Sequence, residues 1–76
     1  MKELLEFILE SILDSMDSVT IEESVEEDGT ILFLINSDDD LKGAIIGRKG
    51  RTIQSIRNIM GVKAAKEDAR VYVKVE

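Results

Sequence analysis

The chain is predicted to be an α+β fold of order α-β-β-α-α-β, a three-stranded mixed sheet with three helices packed on one face. Three observations predict it. Apolar residues recur at spacings of three and four in residues 2 to 15 and again in residues 51 to 67, the period of helices with one buried face. Three short segments, residues 19 to 25, 30 to 35 and 70 to 76, alternate or run apolar as strands do. An Asp-Gly turn makes the first two of these antiparallel, and a long helical crossover makes the last two parallel.

The helix of residues 2 to 15 rests on Leu4, Leu5, Ile8, Leu9, Ile12 and Met16. Acidic residues suit the positive end of its dipole. Asp14, Ser15, Asp17 and Ser18 compete for its backbone bonds and end it. Residues 19 to 25 place Val19 and Ile21 on one face, with Val25 less regular, and Glu22, Glu23, Glu26 and Glu27 suit an edge strand that must not pair with another chain. Asp28-Gly29 reads as a two-residue hairpin turn. The continuous run Thr30 to Ile35 is expected at the centre of the sheet.

Asp38, Asp39 and Asp40 precede Leu41, Ala44, Ile45 and Ile46. Nothing near the Asp triplet completes an oxygen shell for a metal, whereas an N-cap and a favourable dipole explain it, so no metal is expected. A helix of about two turns follows. Beyond Gly47 to Gly50, the residues Ile53, Ile56, Ile59, Met60, Ala64 and Ala65 keep helical spacing to Glu67. Gly61 weakens that helix, and its presence predicts close approach by another element. Residues 70 to 76 alternate strictly, with Val71, Val73 and Val75 on one side. Of the three aromatic residues, Phe7 and Phe33 are expected in the core and Tyr72 on the surface.

A chain of 76 residues has room for one domain, residues 1 to 76, because at this size only about 60% of the unfolded surface is buried. It contains no Cys and no His, which removes disulfides, thiol nucleophiles, imidazole bases and the usual zinc ligands. Glu3, Glu6 and Glu10 interrupt the apolar start, unlike a secretory signal. No run approaches the roughly 18 to 20 apolar residues of a membrane span, so a cytoplasmic location is expected.

The net charge of −6 is unevenly spread. Residues 1 to 40 hold one cation against thirteen carboxylates, and residues 41 to 76 hold nine cations against three. Charges are screened beyond about 8 Å at physiological salt, so the second half can meet a polyanion despite the first.

The basic half centres on Ile45-Ile46-Gly47-Arg48-Lys49-Gly50-Arg51-Thr52-Ile53. Two glycines around two cations between helices make a turn where phosphates meet free amides and a positive helix end. The glycines admit close approach, and the cations add charge without base information. A P-loop would require glycine at position 48, where Arg stands. No paired nucleophile and base is present, so no enzyme is expected.

These residues resemble the GXXG loop of the KH (K homology) domain, a loop that clamps four nucleotides of RNA backbone. The extra helix and strand before the loop, with one strand after it, resemble type II KH topology. Across the whole chain the likeness is to small bacterial single-domain RNA-binding proteins of the KhpA type. The resemblance implies a non-catalytic binder of single-stranded RNA, acting as a post-transcriptional regulator or RNA chaperone, associated in some bacteria with cell-envelope growth and shape, and using no cofactor.

Carried onto this chain, the resemblance places Gly47, Arg48, Lys49 and Gly50 on the RNA backbone and Ala44, Ile45 and Ile53 in the wall of an aliphatic groove, with Ile46 assigned to the core. Arg51 and Arg57 would add contacts, with Lys42 and Lys74 as weaker candidates. It also implies a homodimer and a larger KhpB-type partner. The competing reading is a protein-interaction module in which the GXXG face meets a partner KH protein.

Overall fold

In a computed structural model that describes residues 1 to 76, the chain runs α1 (Lys2–Ile12), β1 (Thr20–Val25), β2 (Ile31–Asn36), α2 (Asp39–Ile46), a 3-10 turn (Arg48–Gly50), α3 (Arg51–Lys66) and β3 (Val71–Val75). This is the element order of a type II KH fold. β2 is central. It pairs antiparallel with β1, with Ile21 opposite Ile35, and parallel with β3, with Phe33 beside Val73.

Phe33 and Ile35 of β2 and Val73 of β3 meet Leu5, Leu9, Leu13, Ile45, Ile53, Ile56 and Met60 in one buried cluster. Each such side chain contributes about 1.5 to 3 kcal/mol when enclosed. Only two ion pairs accompany them, Met1 with Glu3 and Lys63 with Glu67, both on the surface where such pairs contribute little. Apolar burial therefore holds the helices on the sheet. The opposite sheet face carries Leu32 and Leu34, both half-buried, and the exposed Tyr72.

α1 stops at Ile12 rather than near residue 15, because Leu13 turns extended (φ −110°, ψ 144°) while its amide still donates to the Leu9 carbonyl. Leu13 thereby drops into the core and Ile12 turns outward. Phe7 is also on the surface, 67% exposed, contrary to expectation. At about 100° per residue it lies half a turn from the Leu5 and Leu9 stripe. On α3 the buried stripe is Ile53, Ile56, Met60 and Ala64, which leaves Ile59 and Ala65 outside.

The hairpin differs from a two-residue turn. The Glu26 amide donates to the Thr30 carbonyl and the Gly29 amide to the Glu26 carbonyl, so Glu27 and Asp28 form the corner and Gly29, at φ +90°, closes it. Three-residue hairpins of this kind need positive φ only at the last position. Asp28 instead accepts from the Thr30 amide at 2.9 Å, and that bond holds its carboxyl below the ordinary range.

Candidate nucleic-acid interface

α2 begins where the sequence predicts. Asp38 is its N-cap, and its carboxylate accepts from the Leu41 amide at 2.9 Å. Helical geometry then puts Leu41 and Ile45, four residues apart, on one face. Ile45 is fully enclosed, and Ile46, the next residue round, is 37% exposed. The expected roles of these two isoleucines are therefore reversed: Ile45 has no surface to offer a ligand, and Ile46 stands beside the loop.

The helix ends as the Gly47 amide donates to the Gly43 carbonyl at 2.8 Å. Gly47 then adopts φ 77°, ψ 174°, a region that only glycine occupies readily. A Cβ there would lie 2.6 Å from the Thr52 Cβ and 2.9 Å from its amide nitrogen, and would overlap its hydroxyl. Gly50, at φ 75°, ψ 15°, is left-handed but has open space around it. Both glycines are thus required, one by conformation and contact, the other by conformation alone.

Lys49 lies between them at φ 58°, ψ 24°, left-handed in a residue that carries a Cβ. Such a conformation costs about 1 to 2 kcal/mol. Strain of this kind collects at functional sites, where its surroundings over-determine it. Arg48, Lys49 and Arg51 are all exposed, and neither ion pair of the protein involves them. The amides that open the 3-10 turn have no acceptor inside it. A rim of free cations and amides is therefore presented on a glycine turn.

Ala44, one turn before Gly47, is exposed on the same side, while Ile53 is nearly buried beneath. Lys42 is half-buried and Lys74 exposed. Arg57 is set apart from the loop. Its Nε donates to the Val73 carbonyl at 2.9 Å, and its guanidinium carbon lies 5.3 Å from the centre of the Tyr72 ring. It thereby spans from α3 to the free edge of β3. Sequence reasoning did not find the parts played by Thr52, Ile46 and Tyr72, because no local pattern marks a contact made across elements.

The only pocket lies further along α3, a cleft of about 420 Å³ between α3, the start of β3 and the hairpin. Gly61 lines it and meets no close neighbour, so the predicted tight packing at this glycine is absent.

A GXXG turn set between two helices, on a mixed sheet of this order, defines a type II KH domain. The model of the KH domain of KhpA and KhpB matches residues 2 to 75, and the chain belongs to that family. Among curated relatives it is similar to the RNA-binding protein KhpA of Borreliella burgdorferi, 42% identical over 96% of this chain and 88% of that one. The KhpA proteins of Clostridium perfringens and Clostridium acetobutylicum are 37% and 39% identical over 99% of both chains. No solved structure matches.

Proposed function

We propose that the chain is a non-catalytic, cytoplasmic binder of single-stranded RNA that holds the sugar-phosphate backbone on Gly47 to Gly50 and acts in post-transcriptional control or as an RNA chaperone. The observation that carries this reading is the strained, exposed turn itself, with Arg48, Lys49 and Arg51 outside any ion pair beside Gly50, whose open side admits a phosphate. Relatives that carry the name RNA-binding protein support RNA over the interaction-module reading of the same face.

The test is crosslinking to cellular RNA with Arg48 and Lys49 both changed to Asp. Asp tolerates the left-handed position, so the fold should persist while crosslinks vanish. A variant that still crosslinks as wild type overturns the loop assignment.

One four-nucleotide site binds weakly, and a second unit raises affinity through effective concentration. We infer a homodimer, or pairing with the KH domain of a larger KhpB-type protein, through Phe7 of α1 and Ile59 and Val62 of α3, all exposed. α1 begins beside the end of α3, where Glu3 raises the pKa of Lys63 after the larger effect of Glu67. Phe7 lies one turn beyond Glu3 and Ile59 one turn before Lys63, which brings them to one side. Phe7→Glu with Val62→Glu should leave a monomer by sedimentation, and an unchanged dimer excludes this face.

A further inference from the structure

Side chains of β2 alternate between two environments. Phe33 and Ile35 are enclosed beneath the helices, so Leu32 and Leu34 point to the other side of the sheet. Both are half-buried, and neither joins the core cluster. The strand register lays two complete rows across this open face: Glu22, Leu34 and Lys74 in one, Ser24, Leu32 and Tyr72 in the other. Its centre is apolar, with an acid on the β1 side and a base on the β3 side. Glu22 and Lys74 are exposed and belong to neither ion pair of the protein.

We propose that the open sheet face is a weak contact between two copies of this chain, in which Glu22 of each copy meets Lys74 of the other across facing Leu34 side chains. Such a contact would make copies on one RNA bind cooperatively, a consequence that rests on the RNA reading above.

The charge arrangement selects a second copy as the occupant. Two sheets pack face to face about 10 Å apart with their strands nearly aligned. A two-fold axis between the sheets, running along β2, keeps each row at its own height and exchanges β1 for β3. Leu34 then lies over Leu34 and Leu32 over Leu32, while Glu22 faces Lys74 twice. Tyr72 meets Ser24 in the same way. A two-fold axis across the strands sets β1 over β1 and gains no ion pair. The face is therefore self-complementary in one arrangement, as a symmetric interface requires.

Its size limits its strength. Three strands about 4.8 Å apart and five residues at about 3.4 Å give roughly 250 Å² per copy, well under the ~1,000 Å² total of a stable interface. Free copies therefore associate only at high concentration. Copies held on one strand reach effective concentrations in the millimolar range. The face also lies on the opposite side of the sheet from α1 and α3, so a helix-face pair leaves it open.

The test follows sedimentation of the full chain without RNA, in the Phe7→Glu, Val62→Glu background, from dilute to near-millimolar protein. The background should be monomeric when dilute and become dimeric as concentration rises. Glu22→Lys and Lys74→Glu should each weaken that association by about fivefold, the size of two exposed pairs lost. An equimolar mixture of the two should restore it, because each chain then supplies what the other lacks. The chain carrying both changes keeps its net charge and both pairs, so it should associate as the background does. If the background never associates, or if each single variant associates as well as their mixture, the face is not a self-contact.

Oligouridylates of six and forty nucleotides test the consequence. Wild type should bind the longer one with a Hill coefficient above one. Leu34→Asp, with its fold checked by thermal midpoint, should bind six nucleotides as wild type does and lose the cooperativity. Equal cooperativity in Leu34→Asp removes the sheet face from RNA binding. If folded wild type binds neither length, the RNA reading fails, and the sedimentation series still decides the contact.

Discussion

The side chain of Thr52 occupies the space that a Cβ on Gly47 would need. The hydroxyl, Cβ and backbone nitrogen of Thr52 all crowd that point, so the first glycine of the loop is fixed by a neighbour five residues on. Gly50 has no such neighbour. Gly47→Ala combines conformational strain of about 1 to 3 kcal/mol with a clash against backbone, whereas Gly50→Ala carries about 1 to 2 kcal/mol of left-handed strain alone. Chemical denaturation should rank Gly47→Ala as the more damaging. Thr52→Ala should not rescue it, since the Cβ and amide of residue 52 remain in place. Equal losses from the two glycine changes would show that Thr52 does not set the requirement.

Lys49 carries strain that glycine would release. Lys49→Gly should raise stability by up to about 1 kcal/mol, the left-handed cost less the entropy glycine loses on folding. It removes an exposed cation from the turn at the same time, so RNA affinity should fall as stability rises. A variant that gains stability and keeps affinity would mean that the Lys49 charge does not touch the ligand.

Arg57 protects an edge. In a sheet ordered β1-β2-β3, both outer strands expose unpaired backbone groups that invite other chains. β1 meets this with Glu22, Glu23 and the nearby Glu26 and Glu27, and β3 with the Arg57 bond to Val73. Arg57→Ala should cost about 1.5 to 3 kcal/mol, the range for a hydrogen bond from a charged group, and should promote association at high concentration. Arg57→Lys should restore little, because a lysine lacks the planar fork that bonds and stacks together. Wild-type stability in Arg57→Ala would remove the bond from the account.

Much of this was legible in the sequence. Element order, the central place of β2, the acidic edge, the Asp38 cap and the GXXG turn each leave a local signature of period, composition or turn chemistry. The misplacements share a different cause. Ile45 and Ile46 are adjacent and equally apolar, and only the phase set by Leu41 decides which is enclosed. Phe7 is apolar but out of phase with Leu5 and Leu9. Gly61 reads as tight packing from composition alone, because glycine marks close approach and open space alike. Which groups face one another across elements, as Thr52 faces Gly47 and Arg57 faces Val73, is set by tertiary packing and leaves no periodic trace.

Acid should loosen the start of α2. The Leu41 amide, and then the Ser18 hydroxyl, hold the Asp38 carboxyl below the ordinary carboxylate range. A carboxylate with a depressed folded pKa contributes stability above its unfolded value and loses it as pH falls through the folded one. The loss therefore lies below about pH 4, and Asp28, lowered chiefly by Thr30, adds to it in the same window. Asp38→Asn keeps an N-cap acceptor without titrating. Its thermal midpoint should fall less than that of wild type between pH 5 and pH 2.5, and parallel curves would show that the cap is not a source of acid sensitivity.

Salt should weaken RNA binding in proportion to the phosphates held, despite a net charge of −6. The acidic residues lie chiefly in α1, β1, the hairpin and the Asp cap, while α2, the loop, α3 and β3 carry eight of the ten cations and Arg70 directly precedes β3, so the ligand meets a local excess of positive charge. Each phosphate neutralised on a single strand contributes about −0.7 to the slope of log affinity against log salt. Two to four contacts from Arg48, Lys49, Arg51 and their neighbours give a slope of about −1.4 to −2.8. Arg51→Ala should reduce its magnitude by about 0.7 if that residue holds one phosphate. A slope near zero would mean that apolar contacts with the bases hold the strand and that the cations of the turn serve only to keep the protein in solution.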